Sequence, residues 1–146
     1  MNDNYDSLKL ENQLCFPLYA CSREIIKKYH PFLQKLDLTY TQYITMMVFW
    51  ENKKITVKEL GKKLFLDSGT LTPVLKSLES KGLVKRYRSS EDERVLIVEI
   101  TPEGEDLKAK ALEIPQKIGC CIRLSQDEAL TLYKILYKIL DSENNE

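Results

Sequence analysis

The sequence predicts a mainly α-helical protein that carries one β-hairpin. Several helix starts are recognisable as capping boxes, in which a hydroxyl residue is followed three positions later by Gln or Glu; they lie at Thr39 and Gln42, Thr56 and Glu59, and Ser125 and Glu128. The two side chains of such a box satisfy backbone N–H groups that a helix start leaves without partners. Apolar residues at helical spacing follow each box. Only the segment 84–101 is β-rich, which places a single hairpin in an otherwise helical chain.

Length and composition are those of one ordinary globular domain. The 146 residues include 22 basic and 22 acidic side chains, so the net charge is zero, and 43% of the residues are hydrophobic. This composition excludes wholesale disorder, and we expect a single domain over 1–146. The longest apolar run, from Met46 to Trp50, is far below the roughly 20 residues that span a membrane, and the amino terminus is polar. We therefore expect a cytoplasmic protein without membrane contact.

The helices before the hairpin follow from apolar spacing. The pattern predicts a long helix over about 8–30, a helix over about 40–51, a short helix over about 56–64 and a helix over about 68–81. Pro17 lies inside the first of these helices. Because proline removes one backbone hydrogen bond, we expect it to kink that helix.

The hairpin and the C-terminal helices complete the order of elements. β-rich stretches at 84–88 and 94–100 flank a polar turn at 89–93. Thr101, followed by Pro102, starts the first of two C-terminal helices. A hydroxyl N-cap and a proline at the first helical position both favour a helix start.

Charge is distributed unevenly along the chain. Residues 53–88 carry a net charge of +7, and the rest of the chain carries −7. A basic segment with acidic flanks suits a DNA-binding core, although charge alone fits a solvated lysine surface equally well. A short helix, a tight connector and a second helix follow one another over 56–81, which favours a helix-turn-helix. Gly82 provides the stop of the second helix. The apolar face of that helix is formed by Leu71, Val74, Leu75 and Leu78.

The opposite face of this second helix has the side chains of a DNA reader. The helix begins at Asp67 or Ser68, and its candidate DNA contacts are Ser68, Thr70, Thr72 and Lys76. Small hydroxyls reach base edges in the major groove, and a helix N-terminus attracts phosphates. Pro73 removes one helix hydrogen bond. It either offers a rigid apolar surface to a thymine methyl group or only shapes the helix.

The hairpin that follows would form a wing beside this helix. Its basic residues Arg86 and Arg88 are further candidate DNA contacts. Arg94, at or near the hairpin tip, is a candidate for the minor groove, because a narrow groove concentrates negative potential. Asp92 could orient the Arg94 guanidinium through a charge-assisted hydrogen bond. Outside a wing, the same pair would be a surface salt bridge of little energetic consequence.

Three motifs carry a family resemblance: DSGTLTP at 67–73, LESKGL at 78–83, and the D-x-R element at 92–94 ahead of the hydrophobic stretch 96–101. Together they resemble the winged helix-turn-helix of MarR-type repressors, and the resemblance extends to the flanking helices. It implies a homodimer on a pseudo-palindromic operator, with two symmetric recognition helices in successive major grooves. Residues 40–101 would then bind double-stranded DNA, and 8–38 and 102–142 would form the dimerisation helices.

The amino-terminal region contains a cysteine and three tyrosines in a recognisable order. They are Cys15, in the stretch LENQLCF at 10–16, followed by Tyr19, Tyr29 and Tyr40. This arrangement resembles the OhrR branch of the MarR-type family, the sensors of organic hydroperoxides. In that branch the cysteine reacts with the peroxide, and tyrosines at the positions of Tyr29 and Tyr40 reach it from the partner subunit. The resemblance implies that Cys15 is the redox-sensing residue, that the tyrosines make hydrogen bonds in its pocket, and that an organic hydroperoxide is the effector.

The chemistry of a peroxide sensor fits a cysteine near a helix start. A thiolate, not a thiol, attacks the peroxide, and a helix N-terminus and phenolic hydroxyls both stabilise such an anion. Attack on the O–O bond gives a sulfenic acid, which a second thiol can capture reversibly. Leu14, Phe16 and Leu18 would make the pocket apolar and favour organic peroxides over hydrogen peroxide. The alternative is that Cys15 is a small apolar side chain and that the tyrosines are core aromatics.

The other cysteines suggest a resolving thiol rather than a metal site. A chain without an export signal keeps its cysteines reduced, and a single histidine with no C-x-x-C motif predicts neither a metal nor a cofactor. Cys21 is expected to be a buried apolar side chain. Two-cysteine members of the OhrR branch have a resolving cysteine about where Cys120 falls, so the resemblance implies a bridge between subunits from Cys15 to Cys120 or Cys121. A low-molecular-weight thiol is the other candidate.

Three further functions stay open on the sequence. A MarR-type repressor could be induced by reversible binding of a small aromatic ligand, with Cys15 incidental. A thiol peroxidase would use Cys15 catalytically, but the chain has no recognisable peroxidase motif and has a DNA-reading module, so we expect that it is not an enzyme. An architectural DNA binder would respond to no effector. Replacing Cys15 by serine separates ligand induction from peroxide sensing.

Overall fold

A computed structural model describes residues 4–143, which form two compact units divided between Ile114 and Pro115. Two 3₁₀ turns, Asp6–Leu8 and Leu10–Asn12, open the first unit. Its further elements are α1 (Cys15–Gln34), α2 (Tyr40–Asn52), β1 (Lys54–Thr56), α3 (Val57–Leu64), α4 (Ser68–Ser80), β2 (Val84–Arg88), β3 (Leu96–Ile100) and α5 (Pro102–Ala111). The remaining helices are α6 (Ile114–Cys121) and α7 (Gln126–Glu143). The predicted fold class, mainly α-helical with one hairpin, is confirmed.

The first helix starts later than the sequence predicts, at Cys15 instead of about residue 8. The residues before it form the 3₁₀ turns, where the Asn12 and Gln13 side-chain amides donate to backbone carbonyls at 2.7 Å. Pro17 therefore lies in the first turn of α1, where backbone N–H groups have no partner within the helix. The expected kink at Pro17 is wrong, because a proline in that turn removes no helical hydrogen bond.

Three helices follow the hairpin, where the sequence predicted two. Helix α5 ends at Ala111, and α6 begins at Ile114 with Pro115 as its second residue. Proline is tolerated in the first turn of a helix but cannot continue one, so the long C-terminal segment is divided here.

The sheet has a short third strand that the sequence analysis missed. Strand β1 pairs antiparallel with β3, with Ile55 opposite Val98, and β3 pairs with β2, with Val84 opposite Ile100. Three residues are too few to produce a β pattern in a sequence. Strand β3 begins at Leu96 and not at 94, because residues 92–95 form the hairpin turn. In that turn the backbone N–H of Val95 donates to the carbonyl of Asp92 over 3.0 Å.

The core of the first unit is centred on α2. The side chains of Tyr43, Met46 and Phe49 on this helix are almost fully buried. They are joined by residues of the neighbouring elements that are equally buried: Leu33, Leu60, Leu71, Leu75, Leu78 and Val98. The predicted inward face of α4 is thus confirmed, with Val74 half-buried at its margin. The Trp50 indole N–H donates to the carbonyl of Gly104 over 2.9 Å and ties α2 to α5.

The second unit exposes many apolar side chains. On α7 these are Leu130, Leu132, Tyr133, Ile135, Tyr137 and Ile139, each more than two-fifths exposed. The rings of Tyr133 and Tyr137 lie 4.6 Å apart between centroids. Of the helices between residues 4 and 143, none combines the length and the apolar character that crossing a membrane requires.

Candidate DNA-binding and thiol sites

The N-terminal turns of α4 expose short polar side chains. Asp67 caps the helix, because its Oδ1 accepts a hydrogen bond of 2.7 Å from the Thr70 N–H, and this bond holds the pKa of the carboxyl below its usual range. The Thr72 hydroxyl donates to the Ser68 carbonyl over 2.7 Å. All the DNA contacts predicted on this helix are exposed: Ser68, Thr70, Thr72, Pro73 and Lys76. A capped helix start with small exposed side chains leaves room for a phosphate or a base edge.

Two tight backbone features set the position of α4. Before it, Phe65 has a positive φ of 55°, and a Cβ added to Gly61 would lie 2.7 Å from the Leu66 carbonyl oxygen, so α3 and the turn approach closely only because residue 61 is glycine. After it, Gly82 has a φ of 75° and donates to the Glu79 carbonyl over 2.9 Å. These are the helix-turn-helix connector and the glycine stop that the sequence predicted.

Asp92 holds Arg94 in the wing through three hydrogen bonds. The backbone N–H and the Nε of Arg94 each donate to Asp92 Oδ1 over 3.1 Å, and its Nη2 donates to Oδ2 over 3.4 Å. The Arg94 side chain remains 90% exposed, and its hydrogen bonds hold the pKa of Asp92 below the usual range. The predicted orienting pair is therefore present, and the guanidinium projects into solvent at the hairpin turn.

The two arginines of β2 differ in their surroundings. Arg86 forms an ion pair with Glu79, with Nη2 3.1 Å from Oε1, and its side chain is only 20% exposed. The backbone N–H of Arg86 donates to the other carboxylate oxygen over 3.1 Å, and the pairing holds the pKa of Glu79 below its usual range. Arg88 is exposed. The structure therefore places Arg86 between α4 and the wing, and leaves Arg88 open to a ligand.

Tyr29 and Tyr40 lie together, as the resemblance implies. Their ring centroids are 4.9 Å apart in an edge-to-face arrangement, and Tyr43 lies 5.9 Å from Tyr29. Burial raises the pKa of all three hydroxyls, that of Tyr43 to about 12. Tyr43 was not predicted, although its spacing of three residues from Tyr40 places both on one helix face. We call Tyr29, Tyr40 and Tyr43 the tyrosine cluster.

Cys15 is the first residue of α1 and is exposed. Tyr19 follows one turn later; it is 57% exposed, and its hydroxyl accepts a hydrogen bond of 3.2 Å from Arg23 Nη1. Because Tyr29 lies fourteen residues further along the same helix, it is about 21 Å from Cys15 along the axis. One protomer therefore does not bring Cys15 and the tyrosine cluster together.

A groove lies beside the tyrosine cluster, since Tyr40 is among the residues that line it. Its volume is about 310 Å³, and its lining residues include Ile26, His30, Leu38 and Tyr40. Cys21 is exposed in α1, which corrects the expectation that it is buried. Cys120 and Cys121 end α6 in the second unit and are also exposed free thiols.

A capped recognition helix, a glycine-ended turn and a three-stranded sheet with a charged wing define a winged-helix regulator of transcription. The family model described as transcriptional regulator SarA/Rot matches residues 27–111. The organic hydroperoxide resistance transcriptional regulator of Bacillus subtilis (strain 168) is 47% identical over 142 residues, covering 97% of each chain. The chain therefore belongs to the SarA/Rot family of MarR-type transcriptional regulators, which confirms the resemblance seen in the sequence.

Solved structures agree with this assignment. Reduced AbfR bound to DNA, a protein of Staphylococcus epidermidis, has a TM-score of 0.78 and 36% identity, covering 94% of this chain and 96% of that one. The disulfide-formed AbfR has a TM-score of 0.67 and 33% identity, with 94% and 93% covered. A mutant MarR from E. coli complexed with operator DNA has a TM-score of 0.78 and 26% identity, with 94% and 99% covered.

Proposed function

We propose that the protein is a homodimeric, DNA-binding repressor that senses organic hydroperoxides by oxidation of Cys15 and then releases its operator. One observation carries the proposal. An exposed thiol occupies the first position of α1, in a chain 47% identical over nearly its whole length to an organic hydroperoxide resistance regulator. The AbfR structures, reduced on DNA and disulfide-formed, support a thiol that changes state in a DNA-binding relative.

The region 40–101 supplies the DNA contacts in this proposal. The start of α4 enters the major groove with the residues Ser68, Thr70, Thr72, Pro73 and Lys76. Arg94, oriented by Asp92, reaches the minor groove, and Arg88 contacts a phosphate. We assign Arg86 a supporting role instead of the DNA contact expected from the sequence, because its ion pair with Glu79 joins the wing to α4. The operator is double-stranded and pseudo-palindromic, since a dimer presents two symmetric copies of α4.

A second copy of the chain is needed on two grounds. The amino-terminal segment exposes Leu8, Leu10, Leu14, Phe16 and Leu18, and α7 exposes a further apolar set. Large exposed apolar side chains in such numbers are typical of interaction surfaces. In addition, Cys15 and Tyr29 lie about 21 Å apart along α1 of one protomer, so they can form a common site only between subunits. The dimerisation helices 8–38 and 102–142 would bring the Cys15 of one protomer to Tyr29 and Tyr40 of its partner.

The sensing step is nucleophilic attack by the Cys15 thiolate on one oxygen of the peroxide O–O bond. An S–O bond forms, the O–O bond breaks, and the alkoxide leaves and takes up a proton as an alcohol. The sulfur is thereby oxidised to a sulfenic acid, and the peroxide is reduced. The hydroxyls of Tyr29 and Tyr40 are protonated donors, and their hydrogen bonds to the thiolate are stronger than those to the neutral product. Tyr19, one turn from Cys15, completes the set of hydrogen-bonding tyrosines.

A second thiol captures the sulfenic acid. Cys120 or Cys121 of the partner, or a low-molecular-weight thiol, condenses with the sulfenic acid to a disulfide and releases water. Non-reducing electrophoresis after cumene hydroperoxide treatment distinguishes them. A dimer-sized band that Cys120→Ser or Cys121→Ser removes supports a bridge to that residue, whereas monomer bands alone support a small thiol. The proposal also makes the protein a cytoplasmic regulator and not an enzyme. In a turnover assay with excess thiol, consumption of only one peroxide per Cys15 would exclude catalysis.

A gel shift on the promoter nearest the protein's own gene tests the proposal. Reduced protein should bind, cumene hydroperoxide should release the DNA, and a dithiol reductant should restore binding. Cys15→Ser should bind DNA and should stay bound after peroxide treatment. The groove beside Tyr40 favours a second candidate, induction by a small aromatic ligand. In that case Cys15→Ser would keep its induction by the ligand, and wild-type protein would stay bound after peroxide treatment.

A further inference from the structure

A buried amide on α2 connects three separate parts of the first unit. The Gln42 side chain is only 7% exposed. Its Nε2 donates to Ser77 Oγ over 2.9 Å, and its Oε1 accepts from Lys81 Nζ over 3.1 Å. The same Oε1 accepts from the Thr39 backbone N–H over 3.1 Å as part of the capping box of α2. One side chain thus bonds the start of its own helix and two residues of the recognition helix α4.

The Lys81 ammonium extends these contacts to the end of α1. Its Nζ donates to the backbone carbonyl of Asp37 and lies 3.7 Å from Asp37 Oδ2. Asp37 has a positive φ of 54° and lies in the turn between α1 and α2. We call the side chains of Gln42, Ser77 and Lys81, with the Asp37 and Thr39 backbone groups they bond, the Gln42 network.

The network shares the first turn of α2 with Tyr40 of the tyrosine cluster. Tyr40 is the first residue of α2, between the cap Thr39 and Gln42, so any displacement of Tyr40 acts on the same helical turn. The other end of the network is the last turn of α4, because Ser77 lies in that helix and Lys81 is its C-cap. Hydrogen bonds depend on distance and angle, so these bonds tie a displacement of the first turn of α2 to a defined point of α4. The network is therefore the directional link between the cluster and the recognition helix.

We propose that Gln42, Ser77 and Lys81 are positioning residues that transmit the oxidation state of the thiol site to α4. This inference rests on the proposed function. A change in the hydrogen bonds of Tyr29 and Tyr40 shifts the first turn of α2, and Gln42 passes that shift to Ser77 and Lys81. Because α4 is a 13-residue helix, about 20 Å long, a tilt imposed at its C-terminal end moves its DNA-reading N-terminal end.

The test measures coupling rather than affinity. Operator Kd values are determined for the reduced and the fully oxidised dimer, and their ratio is compared between variants. Ser77→Ala removes the hydroxyl that accepts from Gln42, and Lys81→Met removes the ammonium while keeping the length of the side chain. We expect each variant to lower the oxidised-to-reduced Kd ratio by about fivefold or more, the range over which allosteric couplings operate. The rate of Cys15 sulfenate formation, followed by mass spectrometry, should stay at the wild-type value.

Two further variants separate positioning from general stability. Gln42→Glu keeps an acceptor for Thr39 and Lys81, and the Ser77 hydroxyl can donate to it instead of accepting, so this variant should retain the wild-type ratio. Glu105→Gln breaks the ion pair with Lys53, which joins the end of α2 to α5 outside the network, and should also leave the ratio unchanged. If Lys81→Met does not fold, the test depends on Ser77→Ala, because this substitution removes one hydroxyl and no charge.

Each outcome decides the matter. A wild-type ratio in Ser77→Ala and Lys81→Met overturns the inference while the proposed function stands. An equal loss of affinity in both oxidation states also overturns the inference, because it is a structural effect. A lowered oxidised-to-reduced Kd ratio in Glu105→Gln overturns it as well. If wild-type protein itself binds DNA equally in both states, the proposed function fails, and the inference fails with it because no signal passes through α2.

Discussion

The DNA-reading region and the thiol site are built in opposite ways. The contacts that hold α4 and the wing in place lie within one protomer, from the Asp67 cap to the Asp92–Arg94 pair at the hairpin turn. In the proposed function the thiol site is divided, because Cys15 is the first residue of α1 and Tyr29 lies fourteen residues further along the same helix. On this proposal, one region is complete when the chain folds, and the other is complete only when two chains associate.

This difference assigns separate tasks to the two regions. A reading surface that is rigid within its protomer can be moved as a body without losing its contacts. A site shared between protomers reports on the relative position of the two chains, which is the quantity that determines the spacing of two recognition helices. The experiments below test the two halves of this comparison, from the largest expected effect to the smallest.

Leu71→Ala should damage the reading region alone. Leu71 is fully buried on the inner face of α4, so its truncation leaves a cavity and should lower the free energy of unfolding by about 2–5 kcal/mol. Urea unfolding followed by circular dichroism measures the loss. Below the unfolding transition, the rate of Cys15 oxidation should equal that of wild type. Thr72→Ala, an exposed position on the same helix, is the matched control and should change stability little. A slower Cys15 reaction in folded Leu71→Ala would show that the regions are not separate.

Local signals made the reading region predictable. The cap at Asp67, the apolar spacing of α4 and the glycine at Gly82 act within a few residues, and each appears in the structure as expected. Elements that depend on remote partners were missed. Strand β1 is three residues long and exists because β3 pairs with it, and the start of α1 was misplaced because 3₁₀ turns have no periodic signature.

The proposed thiol site could be expected only from the family resemblance. No spacing rule brings Cys15 to a tyrosine of another chain, and one protomer separates them. The hydrogen bonds of Gln42 to Ser77 and Lys81 span 35 and 39 residues, and no local sequence pattern predicts contacts at such separations. The Glu79–Arg86 ion pair is closer in sequence, yet it joins a helix to a strand, so Arg86 looked like a free cation beside Arg88.

Mixed dimers should show directly that the thiol site is shared. Tyr29→Phe should slow Cys15 oxidation by about tenfold or more, because a hydrogen bond to a charged group contributes about 1.5–3 kcal/mol. In a heterodimer of a Cys15→Ser chain with a Tyr29→Phe chain, the only cysteine at position 15 faces an intact Tyr29 across the interface. Its oxidation rate, followed by peptide mass spectrometry, should return to the wild-type value.

The homodimer of Tyr29→Phe is the control for that measurement, since every site in it lacks the hydroxyl. A site formed within one protomer would give the heterodimer the same slow rate as this control, because the chain that keeps Cys15 has lost its own Tyr29. That outcome would remove the division on which the comparison depends.

Arg94→Ala should weaken operator binding by about fivefold to tenfold. It should also reduce the slope of log K against log salt by roughly one phosphate contact per protomer, which is about two per dimer. The exposed guanidinium is the group lost. Arg88→Ala should act in the same way, because Arg88 is also exposed. Arg86→Ala should leave the salt dependence nearly unchanged and instead loosen the wing, since its partner is Glu79. Equal salt effects for all three variants, measured by fluorescence anisotropy, would place Arg86 at the DNA.

Tyr43 belongs to the tyrosine cluster but is buried within one protomer, so its titration tests the boundary between the two regions. Its pKa is raised to about 12 by burial, from an ordinary value of about 10. The unfolded chain therefore loses its proton first, and the stability that the neutral hydroxyl contributes is complete below pH 10 and is lost as the pH rises towards 12. Between pH 8 and 10.5, the free energy of unfolding of Tyr43→Phe, measured by urea denaturation, should fall less steeply than that of wild type. The difference between the two falls should be below about 1 kcal/mol. Cys15→Ser should follow the wild-type curve, because Tyr43 does not depend on the partner's thiol. Parallel curves for wild type and Tyr43→Phe would mean that Tyr43 is not the buried member of the cluster, and a shifted curve for Cys15→Ser would make it part of the shared site.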